Sequence, residues 1–387
     1  MIKTFLASPF RIFFLLVGLY GFAIVLAWMA FLFGGLALPV GWSPLHWHSH
    51  EMLLGFTSAA IAGFILTAVS NWTGSPPLQG TKLALLVTTW LLGRVAMWCV
   101  GYLPLLLVAF IDMVFLLALA GALLQILIRH GNKRNLPLGG MILMLALANL
   151  SMHIGFNTGV TAWLKQGQAL AMGLITLIML VIGGRIIPLF TANWLRNQGI
   201  ASAPVSRPLV DRAAILFTAL LIPAEWIDYP LLTGCIALIA AAFNAFRLLG
   251  WKSWSVVREP LLWVLHLGYA WIVIALLLKG LNAFGLVAPA AWLHALGVGA
   301  MGTLILGIMT RVSLGHTGRP FKLPSLAWLI YIGITFAALC RVGAALGWID
   351  YQLGVMTAAA AWCFACGLFV LTYWPVLSRP RVDGRPG

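Results

Sequence analysis

Long apolar runs follow one another along this chain of 387 residues, separated only by short polar loops. Divided at charged residues, prolines and glycine clusters, the runs predict twelve helices. Their bounds are about 11–37, 45–70, 82–101, 104–128, 138–158, 167–193, 211–227, 230–250, 260–282, 290–312, 325–347 and 352–376. A membrane-spanning helix needs about 17 to 25 mainly apolar residues, so each run is long enough to cross a bilayer.

Composition supports a membrane protein and excludes an ordinary soluble domain. Hydrophobic residues are 62% of the chain and charged residues 8%, against about a quarter charged in soluble domains. The net charge of +15 would suit nucleic acid only if the basic residues were clustered, and they are scattered through loops. We therefore expect an all-α integral membrane protein, a single polytopic domain over residues 1–387, with the lipid bilayer as partner and no nucleic acid.

The basic residues predict an orientation, because loops rich in Lys and Arg stay on the cytoplasmic side. One set of alternate loops is basic, and the opposite set has Lys165 with acids such as Glu225, Asp228 and Asp350. The basic set contains Arg129, Lys133, Arg134, Arg196, Arg207, Arg212, Arg247, Lys252, Arg258, Arg311, Arg319 and Lys322, with Arg379, Arg381 and Arg385 near the C-terminus. Both termini are therefore predicted to be cytoplasmic, which requires an even number of spans.

Internal similarity indicates repeats of four helices. Segments 50–74 and 294–318 align without a gap at an offset of 244, and segment 173–191 aligns with the later copy at an offset of 126. The first alignment pairs His50 with His294, Gly55 with Gly299, Gly63 with Gly307, Thr73 with Thr317 and Gly74 with Gly318. We predict three pseudo-repeats, about 1–135, 136–255 and 256–387. Chance similarity between apolar helices is the alternative.

Histidines supply the first candidate ligands. In the predicted orientation five of the eight lie towards the outer side: His46, His48, His50, His153 and His294. Ser43 and Pro44 are typical of a helix start, which places His46 and His50 one turn apart on one face. Two facing helices with one histidine each are able to hold a haem, so the repeat-equivalent His50 and His294 are the predicted axial pair.

A metal site is the second interpretation of the same residues. His46, His48, His50 and Glu51 form a local set of metal-ligating residue types, and His153 and His266 are further haem or metal ligand candidates. The alternative for each histidine is an ordinary packing residue, although ionisable groups inside membranes are functional candidates by default.

Two arginines fall inside apolar runs and need anionic partners. Arg94 and Arg341 occupy equivalent positions in the repeat. Haem propionates would supply the anions, and the alternative is a structural pair with Asp112 or with backbone carbonyls.

Several segments resemble the NnrS family, membrane proteins associated with the bacterial response to nitric oxide. They are HWHSHEMLLGF at 46–56, AGFILTAVSNWTG at 62–74, NLSMHIG at 149–155, HLGYAW at 266–271 and HALGVGAMGTLILGIMTRVSLGHTGRP at 294–320. The resemblance implies a multi-pass protein of the bacterial inner membrane that contains haem, of the b type, with copper as a second candidate cofactor.

The predicted arrangement is also similar to the catalytic subunit of haem–copper oxidases and nitric oxide reductases, which has twelve helices in three pseudo-repeats. That subunit takes low-spin haem ligands from spans two and ten, which correspond here to His50, or alternatively His46 or His48, and to His294. It takes further histidines from spans six and seven, where this chain has none. The resemblance therefore leaves the usual binuclear centre in doubt.

The leading hypothesis is a haem protein that binds nitric oxide in the membrane, with reduction as a further step. If it is an enzyme, it is a membrane oxidoreductase of the nitric oxide reductase type, supplied by quinol or a periplasmic electron donor. The first alternative is a transporter of metal, haem or a small solute. The second is a sensor or assembly factor that binds nitric oxide without turnover.

Overall fold

The computed structural model describes residues 1–38, 42–227 and 229–384, and the regular structure in these residues is entirely helical. Asp228 and Arg385, which contribute to the charge pattern above, lie outside the described residues. The all-α class predicted from the apolar runs is therefore found.

Each predicted run contains a long helix. In chain order these are α1 Pro9–Gly34, α2 Pro44–Thr73, α3 Gly80–Trp98, α4 Leu105–Arg129, α5 Leu136–Thr158, α6 Thr161–Asn197, α7 Pro208–Ile227, α8 Pro230–Leu249, α9 Pro260–Ala283, α10 Pro289–His316, α11 Trp328–Ala345 and α12 Tyr351–Ser378. Short helical turns occur at Ile2–Phe5, Lys133–Asn135 and Ser253–Val256.

Among the described residues, ten of these helices are long and apolar enough to cross a membrane. The two others are α3 and α7. Charged residues explain why they are less apolar: α3 contains Lys82 and Arg94, and α7 contains Asp211, Arg212 and Glu225. The chain is thus a multi-pass membrane protein by length and composition of its helices, and a total of twelve spans stays a prediction.

Proline and glycine set many of the helix ends. Helices α1, α2, α8, α9 and α10 begin at proline. The first N–H of a helix has no partner within the helix, so proline, which has no N–H, loses no hydrogen bond at this position. Helices α1, α2 and α5 are followed by Gly35, Gly74 and Gly159 in the left-handed conformation, where glycine avoids the Cβ clash.

The chain forms two compact units. Unit 1 comprises Met1–Leu174, Arg311–Phe321 and Phe369–Gly387, and unit 2 comprises Ile175–Thr310 and Lys322–Leu368. Within unit 1, α1 packs on α2, α2 on α4, α3 on α4 and α4 on α5. Within unit 2, α7 packs on α8, α8 on α9, and α10 on both α9 and α11. Unit 1 contains His50 and unit 2 contains His294.

A wide, π-helical turn interrupts α2 and α10 at equivalent places. It covers Glu51–Phe56 in α2 and Ala295–Gly302 in α10, and each turn directly follows the repeat-equivalent histidine. Turns of this kind are frequent at functional sites.

The ends of these two helices are also alike. Thr73 and Thr317 each donate a hydroxyl hydrogen bond four residues back, to Val69 and Ser313, and the following glycines have φ of +70° and +71°. Helix α6 is the third predicted copy. It has neither the threonine hydrogen bond four residues back nor the following glycine, and it continues to Asn197. Thr191 is followed by Ala192 and Asn193, so there is no glycine to end the helix at this position.

Candidate metal centre

Unit 1 encloses a cluster of polar side chains from four helices. His50 and Glu51 come from α2, Arg94 from α3, Asp112 from α4, and Asn149 and His153 from α5. Each of these residues is at most 5% exposed. Burying a charged group without a partner costs free energy, so the contacts of these groups indicate which ligand the cluster could bind.

Arg94 lies between two carboxylates. Its Nη1 donates to Glu51 Oε1 and its Nη2 to Asp112 Oδ1. The Tyr20 hydroxyl, from α1, donates to the other oxygen of Glu51. Of the two interpretations of Arg94 made from the sequence, the ion pair with Asp112 is therefore present, and Glu51 is a second partner.

Two glycines make room for this ion pair. A Cβ at Gly55 would lie 2.7 Å from Arg94 Nη1, and one at Gly93 would lie 3.1 Å from Asp112 Oδ1. Any larger residue at Gly55 would displace the guanidinium. Gly55 is also one of the glycines that the repeat alignment singles out.

Both ring nitrogens of His50 have partners. Nδ1 lies 2.9 Å from Glu51 Oε1, while Nε2 lies 2.9 Å from Asn149 Oδ1 and 3.1 Å from Asp112 Oδ2. A carboxylate on one ring nitrogen fixes the ring and its tautomer while the other nitrogen faces the ligand site, as is usual for metal-bound histidine.

His153 approaches the same carboxylate oxygen. Its Nε2 lies 3.0 Å from Asp112 Oδ2, and the Asn149 side-chain amide donates to that oxygen at 2.7 Å. The Trp42 indole covers both imidazoles, with ring centroids 5.4 Å from His50 and 5.3 Å from His153. The side chains of His50, His153 and Asp112 therefore converge in an enclosed space.

The donor set fits a directly bound metal ion. One ligand atom from each of His50, Asp112 and His153 lies within 4.8 Å of the others. Among the described residues, this is the group of three or more His, Cys, Asp or Glu side chains that lies so close together. Two imidazoles and a carboxylate are a recognised ligand set for divalent transition metals.

The charges of the cluster also favour a cation. Two buried carboxylates, Glu51 and Asp112, face one guanidinium, Arg94. One negative charge is left over when both histidines are neutral. A bound cation, or a proton on a histidine, would balance it.

The histidines predicted as a local metal set lie apart. The His46 ring packs against Phe156 at 6.0 Å between centroids, and the His48 ring stacks on Trp28 of α1 at 4.4 Å. His50 belongs to the cluster, and Glu51 contacts it through His50 and Arg94. His46 and His50, one turn apart, both face α5, whereas His48 faces α1, as helical spacing requires.

The remaining candidates lie in unit 2. His294 Nδ1 lies 2.8 Å from the Ala290 carbonyl oxygen of its own helix. The His266 ring nitrogens lie 2.9 Å from the hydroxyls of Thr191 and Ser253. Arg341 lies 5.9 Å from the centre of the Tyr351 ring, and its Nη1 is buried without a hydrogen-bond partner among the described residues.

A haem fits the observed contacts of His50 less well than a metal ion does. An axial ligand needs a ring nitrogen that faces the porphyrin, whereas His50 Nε2 faces Asn149 and Asp112. Asn149 and Asp112 would have to withdraw for His50 to bind haem iron. The axial pair of His50 and His294 stays a prediction.

From the sequence, Asp112 is predicted only as a structural partner of Arg94, and Asn149 is not among the candidate residues. A signal was present for both. Asp112 is an acid in the middle of an apolar run, and Asn149 is one turn before His153. An intramembrane acid is a candidate ligand in its own right.

Comparison with known proteins gives one result that covers nearly the whole chain. No curated protein matches the sequence. The family model described as NnrS protein matches residues 4–381. This range includes every residue of the buried cluster and both helices with π-helical turns. The chain belongs to the NnrS family.

Proposed function

We propose that this chain is a membrane metalloprotein of the bacterial nitric oxide response that binds nitric oxide at a metal ion held by His50, Asp112 and His153. The convergence of these three buried side chains within 4.8 Å is the observation that supports the site. Membership of the NnrS family supports the role in the nitric oxide response.

Each residue of the cluster has a part in this proposal. His50, His153 and Asp112 are the ligands, with the Asn149 amide oxygen beside them. Glu51 orients His50 through Nδ1, and Arg94 holds both carboxylates. A transition metal held by these three residues would supply a place for nitric oxide to bind. Copper and iron both suit two imidazoles and a carboxylate.

Nitric oxide is small and apolar, so it enters lipid without a polar channel. Its reduction would need electrons from a donor, because two molecules of nitric oxide take up two electrons and two protons to give nitrous oxide and water. A quinol or a periplasmic protein is the proposed donor. Production of nitrous oxide by protein in lipid nanodiscs with a reduced quinol would identify an enzyme, and binding without nitrous oxide would identify a sensor.

Paired histidine variants test the metal site. In His153→Gln, the purified protein should lose its bound copper or iron and its spectral change with nitric oxide. His266→Gln is the matched control, because His266 is equally buried but its ring nitrogens contact hydroxyls. Unmodified protein that contains no metal and takes up none, or equal metal content in both variants, would contradict the proposal.

A haem b held by His50 and His294 is the second candidate. The observation in its favour is the π-helical turn that directly follows both histidines. Arg94 and Arg341 would then bind the propionates. His50→Ala and His294→Ala should each remove the same Soret band, whereas a protein without a Soret band has no haem. Movement of copper or another solute into protein-containing liposomes would instead identify a transporter.

For the membrane arrangement we propose twelve spans in three pseudo-repeats of four, with both termini cytoplasmic, in the bacterial inner membrane. The alternation of basic and acidic loops supports this orientation. Single cysteines at Arg134 and Arg258 should be labelled only from the cytoplasmic side, and one at Lys165 only from the outer side. Labelling of Arg134 and Lys165 positions from the same side would contradict it.

A further inference from the structure

Four arginines of unit 1 lie where α1 begins and where α10 and α12 end. They are Arg11, Arg319, Arg379 and Arg381, and we call them the arginine cluster. Arg11 is fully buried, and its Nη1 donates to the carbonyl oxygens of Leu377 and Arg379, each at 2.8 Å. The side chain of Arg11 thereby joins the start of α1 to the end of α12.

The segment that follows α12 packs against the segment that follows α10. The Val382 N–H donates to the Thr317 carbonyl oxygen at 3.1 Å. Arg381 Nη1 donates to the His316 carbonyl oxygen at 2.8 Å. Because Arg319 follows His316 closely in the chain, these bonds bring Arg319 and Arg381 to the same end of unit 1.

The arginine cluster carries more positive charge than its neighbours balance. Asp383 accepts hydrogen bonds from Nε and Nη2 of Arg381, at 2.9 and 2.6 Å, so this carboxylate is already paired. Arg319 Nη1 is buried without a hydrogen-bond partner among the described residues. Burial and the like charge of Arg379 lower the pKa of the Arg319 guanidinium, because both disfavour its charged form. In the part of the chain that the structure describes, no carboxylate pairs with Arg319 or Arg379, so an anion beside them would supply the missing charge.

Exposed apolar residues near the end of α12 indicate the depth of the cluster in the bilayer. Trp374 is 41% exposed and packs against Phe5, with ring centroids 5.7 Å apart. Leu371, one turn before it, is 76% exposed. On a membrane-spanning helix, exposed tryptophan is typical of the boundary between the hydrocarbon and the headgroups. The arginine cluster, beyond the end of this helix, therefore lies at the level of the lipid phosphates.

We propose that the arginine cluster binds the phosphate group of an anionic phospholipid, with Arg319 and Arg379 as the groups that contact it. The planar guanidinium matches the geometry of phosphate oxygens and forms paired hydrogen bonds with them. Basic pockets between membrane helices bind anionic headgroups on the cytoplasmic side, which is the side predicted for these loops. Phosphate in solution has the same chemistry, so the test must separate the two sources. The proposal does not depend on the metal centre.

Native mass spectrometry of the full chain, freed of lipid in detergent, tests the site. The protein is titrated with phosphatidylglycerol or with phosphatidylcholine, whose headgroup has a phosphate but no net charge. The unmodified protein should bind phosphatidylglycerol at least about tenfold more tightly. In Arg319→Gln with Arg379→Gln, the preference should fall to about twofold or less. Arg207→Gln with Arg212→Gln is the matched control, because these arginines are exposed and belong to the same predicted side, and it should keep the preference.

Inorganic phosphate at millimolar concentration is the second arm, and it should leave phosphatidylglycerol bound because it lacks acyl chains. Displacement of the lipid by phosphate would identify a site for the free anion and overturn the proposal. Equal lipid preference in the double variant and the unmodified protein, or loss of the preference in the control, would also overturn it. Far-UV circular dichroism shows whether each variant is folded. If the double variant is not, Arg379→Gln alone, at an exposed position, should still lose part of the preference, and an unchanged preference there would contradict the proposal.

Discussion

Each unit of this protein buries an arginine in a polar cluster, and the two clusters differ in charge. In unit 1, Arg94 faces Glu51 and Asp112. In unit 2, Arg247 pairs with Asp211 at 2.6 Å, and its other contacts are neutral. These contacts are the Leu180 carbonyl and the Tyr269 hydroxyl, each at 3.1 Å.

The two clusters differ in whether their charges balance within the cluster. The Arg247 cluster is electrically balanced by Asp211 alone, and Asn244 completes it by accepting a hydrogen bond from Tyr269 at 2.6 Å. The Arg94 cluster has one carboxylate too many for its single arginine and adds two imidazoles. The excess negative charge of the Arg94 cluster is balanced by a bound cation or by a proton on a histidine.

The largest effect is expected from Asp112, which contacts Arg94 and both histidines of the first cluster. Asp112→Asn removes the proposed metal ligand and the carboxylate that pairs with Arg94 and His153. Bound metal should fall to background by elemental analysis. Asp211→Asn should keep the metal content of the unmodified protein, and loss of metal in both variants would remove the distinction between the two clusters.

Removal of the arginines should separate the clusters by stability. Arg94→Gln leaves two buried carboxylates without a countercharge and should lower the free energy of unfolding by about 3–5 kcal/mol. Arg247→Gln leaves only Asp211, whose side chain is 24% exposed and is partly hydrated, so the loss should be smaller. Unfolding in SDS, followed by far-UV circular dichroism, gives both values. A greater loss for Arg247→Gln would reverse the comparison.

A weaker effect on the metal is expected from Glu51, to which the proposed function gives the role of orienting His50. Glu51→Gln keeps the side-chain size and should weaken metal binding by about 10–100-fold. Competition with a chelator of known affinity measures this change. Glu225→Gln, which alters the carboxylate paired with Lys279, is the control and should leave metal affinity unchanged.

The smallest effect concerns the neutral partners of the second cluster. Tyr269→Phe removes a hydroxyl that contacts Arg247 and Asn244, and it should lower the free energy of unfolding by about 1 kcal/mol. Metal content should not change. Tyr102→Phe, at an exposed position, is the stability control. Any loss of metal in Tyr269→Phe would show that the second cluster also acts on the metal centre.

Helix positions were predictable because apolar length and the distribution of Pro and Gly determine them. Pro44, for example, begins α2 as the sequence predicts, whereas the helix runs to Thr73, past the predicted end near residue 70. Hydropathy could not tell which face of each helix meets its neighbours, because helices such as α4 and α5 are apolar all round. The sequence therefore gave no means of bringing Asp112 and His153 together.

The sequence predicts only part of the candidate site, because hydropathy does not show which helix faces meet. His50 and Arg94 stand out in the sequence because ionisable residues are rare in apolar runs, and Asp112 is predicted only as a structural partner of Arg94. His46 lies one turn from His50 and faces the same helix, α5, where it packs against Phe156, whereas His48 stacks on Trp28 of α1. A spacing of one turn therefore predicts the shared face, but not which residues of that face belong to the cluster.

The π-helical turns have a consequence for how length changes are tolerated in this family. A turn of this kind holds one residue more than the α-helical winding around it, so removal of a single residue between Glu51 and Phe56 would restore regular winding. His50 would then rotate by about 100° relative to the rest of α2 and would no longer face Asp112. The gap-free offset of 244 between the two histidine segments keeps each wide turn directly after its histidine.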